Sequence, residues 1–258
     1  MGKSTAVIFR IGALIAALAL VGGCSWGGDD GRDRNPANRP GYTLPTGTAT
    51  ATPDDSHVLR GPARGAIKAA TFELVNGSDI VRVSVADLGG DLFRMSTPDD
   101  AKAAPTAAVD GSTVVAGMRG TGLAGPALLT VLLADGVRWD VRLAGGATGE
   151  SVDLSGGPGG NVDFSAGTSR AEVALPAAGG TQRVTMSGGA SMLTVRLGGS
   201  APVRVAATGG ASSVTVDGKV HTGVAGNSVW TPNGWDSATD RYDVAASAGV
   251  STMVVERI

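Results

Sequence analysis

Between Val131 and Val216 the chain repeats itself, and that repetition restricts the possible folds more than any other feature. Apolar residues two positions apart recur at Val131/Leu133, Val141/Leu143, Val152/Leu154, Val162/Phe164, Val173/Leu175, Val184/Met186, Val195/Leu197, Val203/Val205 and Val214/Val216. The first members are separated by 10, 11, 10, 11, 11, 11, 8 and 11 residues. Each pair brackets a mostly polar residue, as in a short strand with one buried face. The turns alternate between two kinds, one like Met186-Ser-Gly-Gly-Ala-Ser and one like Leu154-Ser-Gly-Gly-Pro-Gly-Gly, so the unit is two strands. Its length is 21 residues from Val141 to Val162 and 22 from Val162 to Val184. Fixed periods of this size mark stacked repeats, and glycine pairs supply the positive φ angles of tight corners. The pattern predicts an all-β, Gly-rich, β-helix-like stack of flattened coils (a β-solenoid), with like strands in parallel. An antiparallel meander or sandwich fits the same spacing, because strands about 11 apart can also fold back.

The polar residues between the apolar pairs extend the expectation. In one sheet the outward column runs Arg142, Asp163, Thr185, Arg204; in the other it runs Asp153, Ala174, Arg196, Thr215. Arg142 then sits beside Asp163, and neither column sets like charges side by side.

The first 24 residues read as an export signal. Lys3 and Arg10 form its charged start, and Ile11 to Val21 is an apolar run of 11, too short for a stable span. The run ends Val21-Gly22-Gly23-Cys24, which resembles the lipobox of bacterial lipoproteins. That resemblance implies acylation of Cys24, cleavage before it, and a chain lipid-anchored to the cell membrane on its extracytoplasmic side. Cys24 is the one cysteine, so no disulfide can form within the chain. Residues 25–65 carry Pro36, Pro40, Pro45 and Pro53 without apolar periodicity and read as a disordered linker. About 40 such residues reach roughly 35 Å. Removing residues 1–23 takes away Lys3 and Arg10 and no acid, moving the net charge from −2 to −4. That balance gives nucleic acid no electrostatic footprint.

Residues 66–258 read as one β-repeat domain. Phe72/Leu74, Val83/Val85 and Phe93/Met95 begin the pattern, and residues 96–108 interrupt it as a surface insertion. Val109-Asp-Gly-Ser-Thr-Val114 reads as a tight hairpin. Residues 217–241 interrupt the pattern again before Tyr242/Val244 and Met253/Val255 close it. No helix is expected after the signal.

The recurring Val-x-Val, Gly-Gly-Ala-Ser, Val-x-Val pattern is similar to the "putative adhesin" domains of bacterial envelope proteins. It also resembles the C-terminal domain of cell-wall-active antibiotic response proteins. The resemblance spans roughly residues 66–258 and implies a Gly-rich β-stack. It transfers no catalytic residue.

The residues themselves point away from catalysis. The two histidines, His57 and His221, lie far apart in sequence, and no Gly-x-Ser-x-Gly elbow is present. No ligand set for a transition metal or other cofactor stands out. Gly156-Gly-Pro-Gly-Gly-Asn161-Val-Asp163 superficially matches a calcium nonapeptide, but it occurs once and reads as a glycine corner. The densest chemistry lies in 217–243, with His221, Trp230, Trp235, Asp236, Arg241 and Tyr242. Aromatic rings beside polar groups suit sugar or peptide contacts, which makes Trp230, Trp235, Asp236, Arg241 and Tyr242 the candidate binding residues. The competing reading makes this stretch a cap over the open end of the stack, and it is the preferred one. The whole reads as an exported lipoprotein with a non-catalytic domain that binds, adheres or senses at the envelope. Its expected partners are the membrane, through the lipid, and a cell-wall glycan or envelope protein. A purely structural surface protein is the second reading, and an enzyme acting on wall glycans the third.

Overall fold

The structure is a computed structural model that describes residues 57–258. The signal, Cys24 and most of the expected linker lie outside the described residues. The apolar pairs become strands. The first group is β1 (Val58–Arg60), β2 (Ala69–Leu74), β3 (Ile80–Ala86), β4 (Phe93–Ser96), β5 (Ala103–Asp110), β6 (Thr113–Gly120) and β7 (Leu128–Ala134). The regular repeat gives β8 (Arg138–Leu143), β9 (Ala147–Asp153), β10 (Val162–Phe164), β11 (Thr168–Leu175), β12 (Thr181–Met186), β13 (Ala190–Leu197), β14 (Val203–Ala207) and β15 (Ala211–Val216). The last stretch adds β16 (Lys219–Val224), β17 (Ser228–Trp230), β18 (Arg241–Ala246) and β19 (Val250–Arg257). No helix occurs among the described residues.

Two mixed sheets result. One has the order β1-β4-β7-β3-β9-β11-β13-β19-β15-β16, the other β17-β14-β18-β12-β10-β8-β2-β6-β5. Successive strands of the repeat alternate between the sheets and pair in parallel. Val141, Val162 and Val184 fall in one register column, and Val152, Val173 and Val195 in another. Antiparallel pairs are confined to the two ends of the sheets: β1–β4, β4–β7 and β5–β6 at one, β14–β17 and β15–β16 at the other. An antiparallel meander would need such pairs through the middle.

Alternation of burial follows the sequence. Val184 and Met186 are buried, while Thr185 between them is partly exposed. The inner faces supply a continuous core that includes Trp139, Phe72, Phe93, Phe164 and Tyr242, all fully buried. Removing a Leu- or Val-sized side chain from water contributes about 1.5–3 kcal/mol, so many modest strands suffice without a disulfide. The corners need glycine for lack of room. A Cβ on Gly188 would run into the backbone of Ala166 and Gly167 in the adjacent corner, and Gly189 has φ +82°.

Four features depart from the sequence reading. The last two strands do not close the series at its end. β18 lies between β12 and β14, and β19 between β13 and β15. A strand in the interior pairs both of its backbone edges, whereas a terminal one leaves a row of N–H and C=O groups open. Second, the outward columns are therefore rearranged beyond β12 and β13. Arg142 does face Asp163, with 3.7 Å between Nε and Oδ2. Arg204, however, faces Asp243, and Arg196 faces Glu256. Thr215 falls in the column of Thr194 and Val254. The displacement is by two residues, which leaves the inward face inward. Third, order begins before Ala66. β1 pairs with β4, and His57, expected in the linker, is buried with Nδ1 2.8 Å from Thr97 Oγ1. Fourth, residues 96–108 are not only a surface loop, because β5 occupies Ala103–Asp110 and forms the expected hairpin with β6.

Candidate functional site

The stretch 217–243 divides into two structures. The first is the end of the sheets. Asp217 and Gly218, with φ of 45° and 80°, form the two-residue turn between β15 and β16. Asp-Gly with two positive φ angles is the turn that matches strand twist. The hairpin register opposes His221 to inward Val214, and β17 opposes Trp230 to inward Val205. His221 and Trp230 thus point inward from opposite sheets and meet with ring centroids 4.8 Å apart, tilted by 39°. They form the outermost layer of the core at this end.

The second structure is the return path to β18. Trp235 is 6% exposed. Its Nε1 donates to Tyr242 O at 2.7 Å. The guanidinium carbons of Arg204 and Arg241 lie 4.1 and 4.5 Å from its ring centroid. Cations at this distance are attracted by the ring's electron-rich face. Arg204 is itself fixed by a two-point bond to Asp243 at 3.0 and 2.7 Å. Arg241 donates through Nη1 to the carbonyl oxygens of Trp235 and Asp236 at 3.1 and 3.0 Å. The bond from Arg241 goes to the main-chain oxygen of Asp236 and not to its carboxylate. Tyr242 is fully buried, with its hydroxyl shared between Pro176 O at 2.5 Å and Gly198 O at 2.7 Å. Burial holds this phenol above its ordinary pKa.

The five candidate residues are therefore not one exposed platform. Trp235 and Tyr242 are interior, Arg241 bonds the return loop, Asp236 is exposed on that loop, and Trp230 belongs to the end layer. Where the end layer and the return path meet, they line a groove of about 620 Å³. Pro202, Val203, Val216 and Pro232 contribute apolar walls. His221 and Trp230 supply aromatic surface, and Asp217, Lys219 and Arg257 supply charge. A concave, mostly apolar site with a few polar groups is the usual form of a small-molecule site.

Arg257 is the residue that sequence reading missed. Its register partner is Leu197, whose own partner is Leu175, so an inner leucine column continues as arginine. Nε reaches Asp217 Oδ1 at 3.3 Å, while Nη1 is buried without a partner. The usable signal was Val255-Glu-Arg257, with a charge where alternation calls for an apolar residue.

A second concavity of about 400 Å³ lies on the outer face of the sheet containing β8, β10 and β12. Its polar groups are engaged with one another. Asn161 donates through N and Nδ2 to Asp140 Oδ1 at 3.0 Å, and accepts from Arg183 N at 3.0 Å. This is the corner that superficially matched a calcium loop. Asp163 takes bonds from Ser165 and Ser187, and Arg142 binds Ser165. Such a ladder holds strands in register and leaves fewer groups for a ligand. Among the described residues no three His, Cys, Asp or Glu side chains gather as a metal site.

No protein-family model and no curated protein sequence matches the chain. Among solved structures it is similar to one described as a "putative cell adhesion protein" from Clostridium sporogenes. That match has 18% identity and a TM-score of 0.55, and covers 78% of this chain and 98% of the other. A "putative adhesin" from Bacteroides fragilis aligns at 9% identity over 77% of this chain and 96% of the other, with a TM-score of 0.22. The first likeness concerns the fold, and the second superposition is too loose to argue from.

Proposed function

We propose that this chain is an exported, lipid-anchored surface protein whose β domain acts by binding rather than catalysis, as an adhesion-like or sensing module of the cell envelope. The two sheets are read as the walls of a β-solenoid, each coil giving one strand to each wall. The observation that carries the binding reading is the groove at the end of the sheets, where aromatic and charged side chains converge on a site of ligand size. The fold shared with a protein described as adhesive is consistent with it. The lipid anchor rests on Val21-Gly-Gly-Cys24 ahead of a Pro-rich stretch. In this reading Cys24 carries the acyl chains and the linker presents the domain beyond the membrane.

The test joins anchoring to binding. Cells expressing the full chain should incorporate labelled palmitate into it, and Cys24→Ser should abolish the label and leave an uncleaved precursor. The full chain solubilised in detergent should be retained on isolated envelope material of its host. Labelling that survives Cys24→Ser overturns the anchor, and failure of retention overturns the binding module.

A further inference from the structure

We infer that the groove at the β16–β17 end binds a sugar unit bearing a carboxylate, with the ring against Trp230 and the carboxylate held by Arg257 and Lys219. The inference rests on the envelope-binding reading and gives it a site and a ligand class.

The first argument is the arginine itself. The two preceding positions of its inner column are Leu175 and Leu197, both fully buried. Arginine is costly there, and Asp217 compensates only part of it, through Nε. Arg257 lines the groove, its Nη1 is buried without a hydrogen-bond partner, and its guanidinium carbon lies 5.8 Å from the Tyr242 ring centroid. A buried guanidinium whose donors are only partly satisfied from within is a cation left short of counter-charge, which the part of Arg257 that lines the groove offers to an anionic ligand. A carboxylate suits a guanidinium best, because it offers two oxygens to a planar fork.

The second argument is charge. Lys219 and Arg257 are two cations facing one acid, Asp217, in the groove. Lys219 makes no hydrogen bond or ion pair among the described side chains. The groove is thus net positive in a chain whose formal charge is −2. That local reversal favours an anion over a neutral or cationic ligand.

The third argument is the aromatic wall. Trp230 is partly exposed, packs tilted against His221 and lines the groove. A tryptophan with one open surface offers an apolar plate beside polar groups, the combination a pyranose ring with its hydroxyls requires. The volume of 620 Å³ admits one or two such rings and not a folded partner. A free carboxylate without a ring would leave the plate unused, and a neutral sugar would leave the two cations without a counter-charge.

Titration calorimetry on the full chain in detergent provides the test, with oligogalacturonate as probe and its methyl ester as the uncharged control. Oligogalacturonate should bind, and the ester should bind at least tenfold more weakly. Lys219→Gln and Arg257→Gln should each lower affinity at least tenfold. Lys219 is exposed, so its substitution leaves the fold intact by circular dichroism even where Arg257→Gln or Trp230→Leu perturbs it. Equal binding of acid and ester overturns the proposal, as does an unchanged affinity in Lys219→Gln. So does a failure of the acid to bind, or a short peptide competing through its own carboxylate as well as the sugar does. Envelope retention of the unmodified chain is measured alongside. Retention that persists equally in Lys219→Gln and Arg257→Gln sinks this site while leaving the envelope-binding reading standing, and loss of retention in the unmodified chain sinks that reading itself.

Discussion

Glu150 occupies an inward position of β9, between Val81 and Ala171 on the neighbouring strands. It is 2% exposed and neither carboxylate oxygen has a partner. Burial without compensation disfavours the charged form and pushes its pKa up to about 8, against an ordinary 4.5. The unfolded chain releases this proton near pH 4.5 and the folded chain keeps it until about pH 8. Between those values the unfolded state binds fewer protons, so stability is full below the lower value and falls as pH rises to the upper one. The slope is about 1.4 kcal/mol per pH unit at most. Glu150→Gln keeps the shape and removes the titration. It should flatten this dependence in denaturant melts at pH 5 to 8 and raise stability at pH 8. A parallel decline in both proteins would exclude Glu150 as its source. Trp235 makes the second prediction at this scale. With its ring buried and two guanidinium groups within 4.5 Å of its centroid, Trp235→Ala should cost about 3–5 kcal/mol, as large buried truncations do. Chemical denaturation checks it. A loss under 1 kcal/mol would show that the return path contributes little to the fold.

Among the elements, β18 and β19 have the largest consequence. Each is an interior strand with parallel partners on both sides. They carry Tyr242, Val244, Ala246, Val250, Met253 and Val255 into the core. Without them β12 loses β14's side of the sheet and β13 loses β15's, because neither pair touches directly in the strand order. A chain ending before Arg241 should therefore lose cooperative unfolding as a whole rather than fray at one end. In a simple linear array, removing a terminal repeat subtracts one unit and one interface. A truncated chain that retains a single sharp urea transition would show that β14 and β15 can dock directly on β12 and β13. The antiparallel end strands serve another purpose. β16 and β17 cover the outer edges of β15 and β14, and β5 covers that of β6, so the long parallel sheets do not end in open parallel strands.

For the whole molecule, what the sequence determined was local and periodic. Alternation of apolar and polar residues decided which side chains face in from Phe72 to Val255, with Glu150 and Gln182 as polar residues on the inward face. The hairpin within Val109–Val114 was legible for the same reason, since a turn of two residues depends on its own φ angles, although Asp110 pairs with Thr113 and the turn itself is Gly111-Ser112. The candidate site was legible only in part. Trp230 and the density of 217–243 stood out, but the burial of Trp235 and Tyr242, and the place of Arg257 and Lys219, did not. Tertiary structure decided the order of the strands and therefore the site. A strand two residues out of register keeps the same face inward, so periodicity cannot distinguish Arg204 beside Thr185 from Arg204 beside Asp243. Nor does it say which strand lies next to which, because every Val-x-Val edge offers the same backbone hydrogen bonds to any other. That choice is made by side chains and corners meeting between strands and across the sheets, where Trp235 bonds Tyr242, Tyr242 bonds Gly198, and Asp217 bonds Arg257.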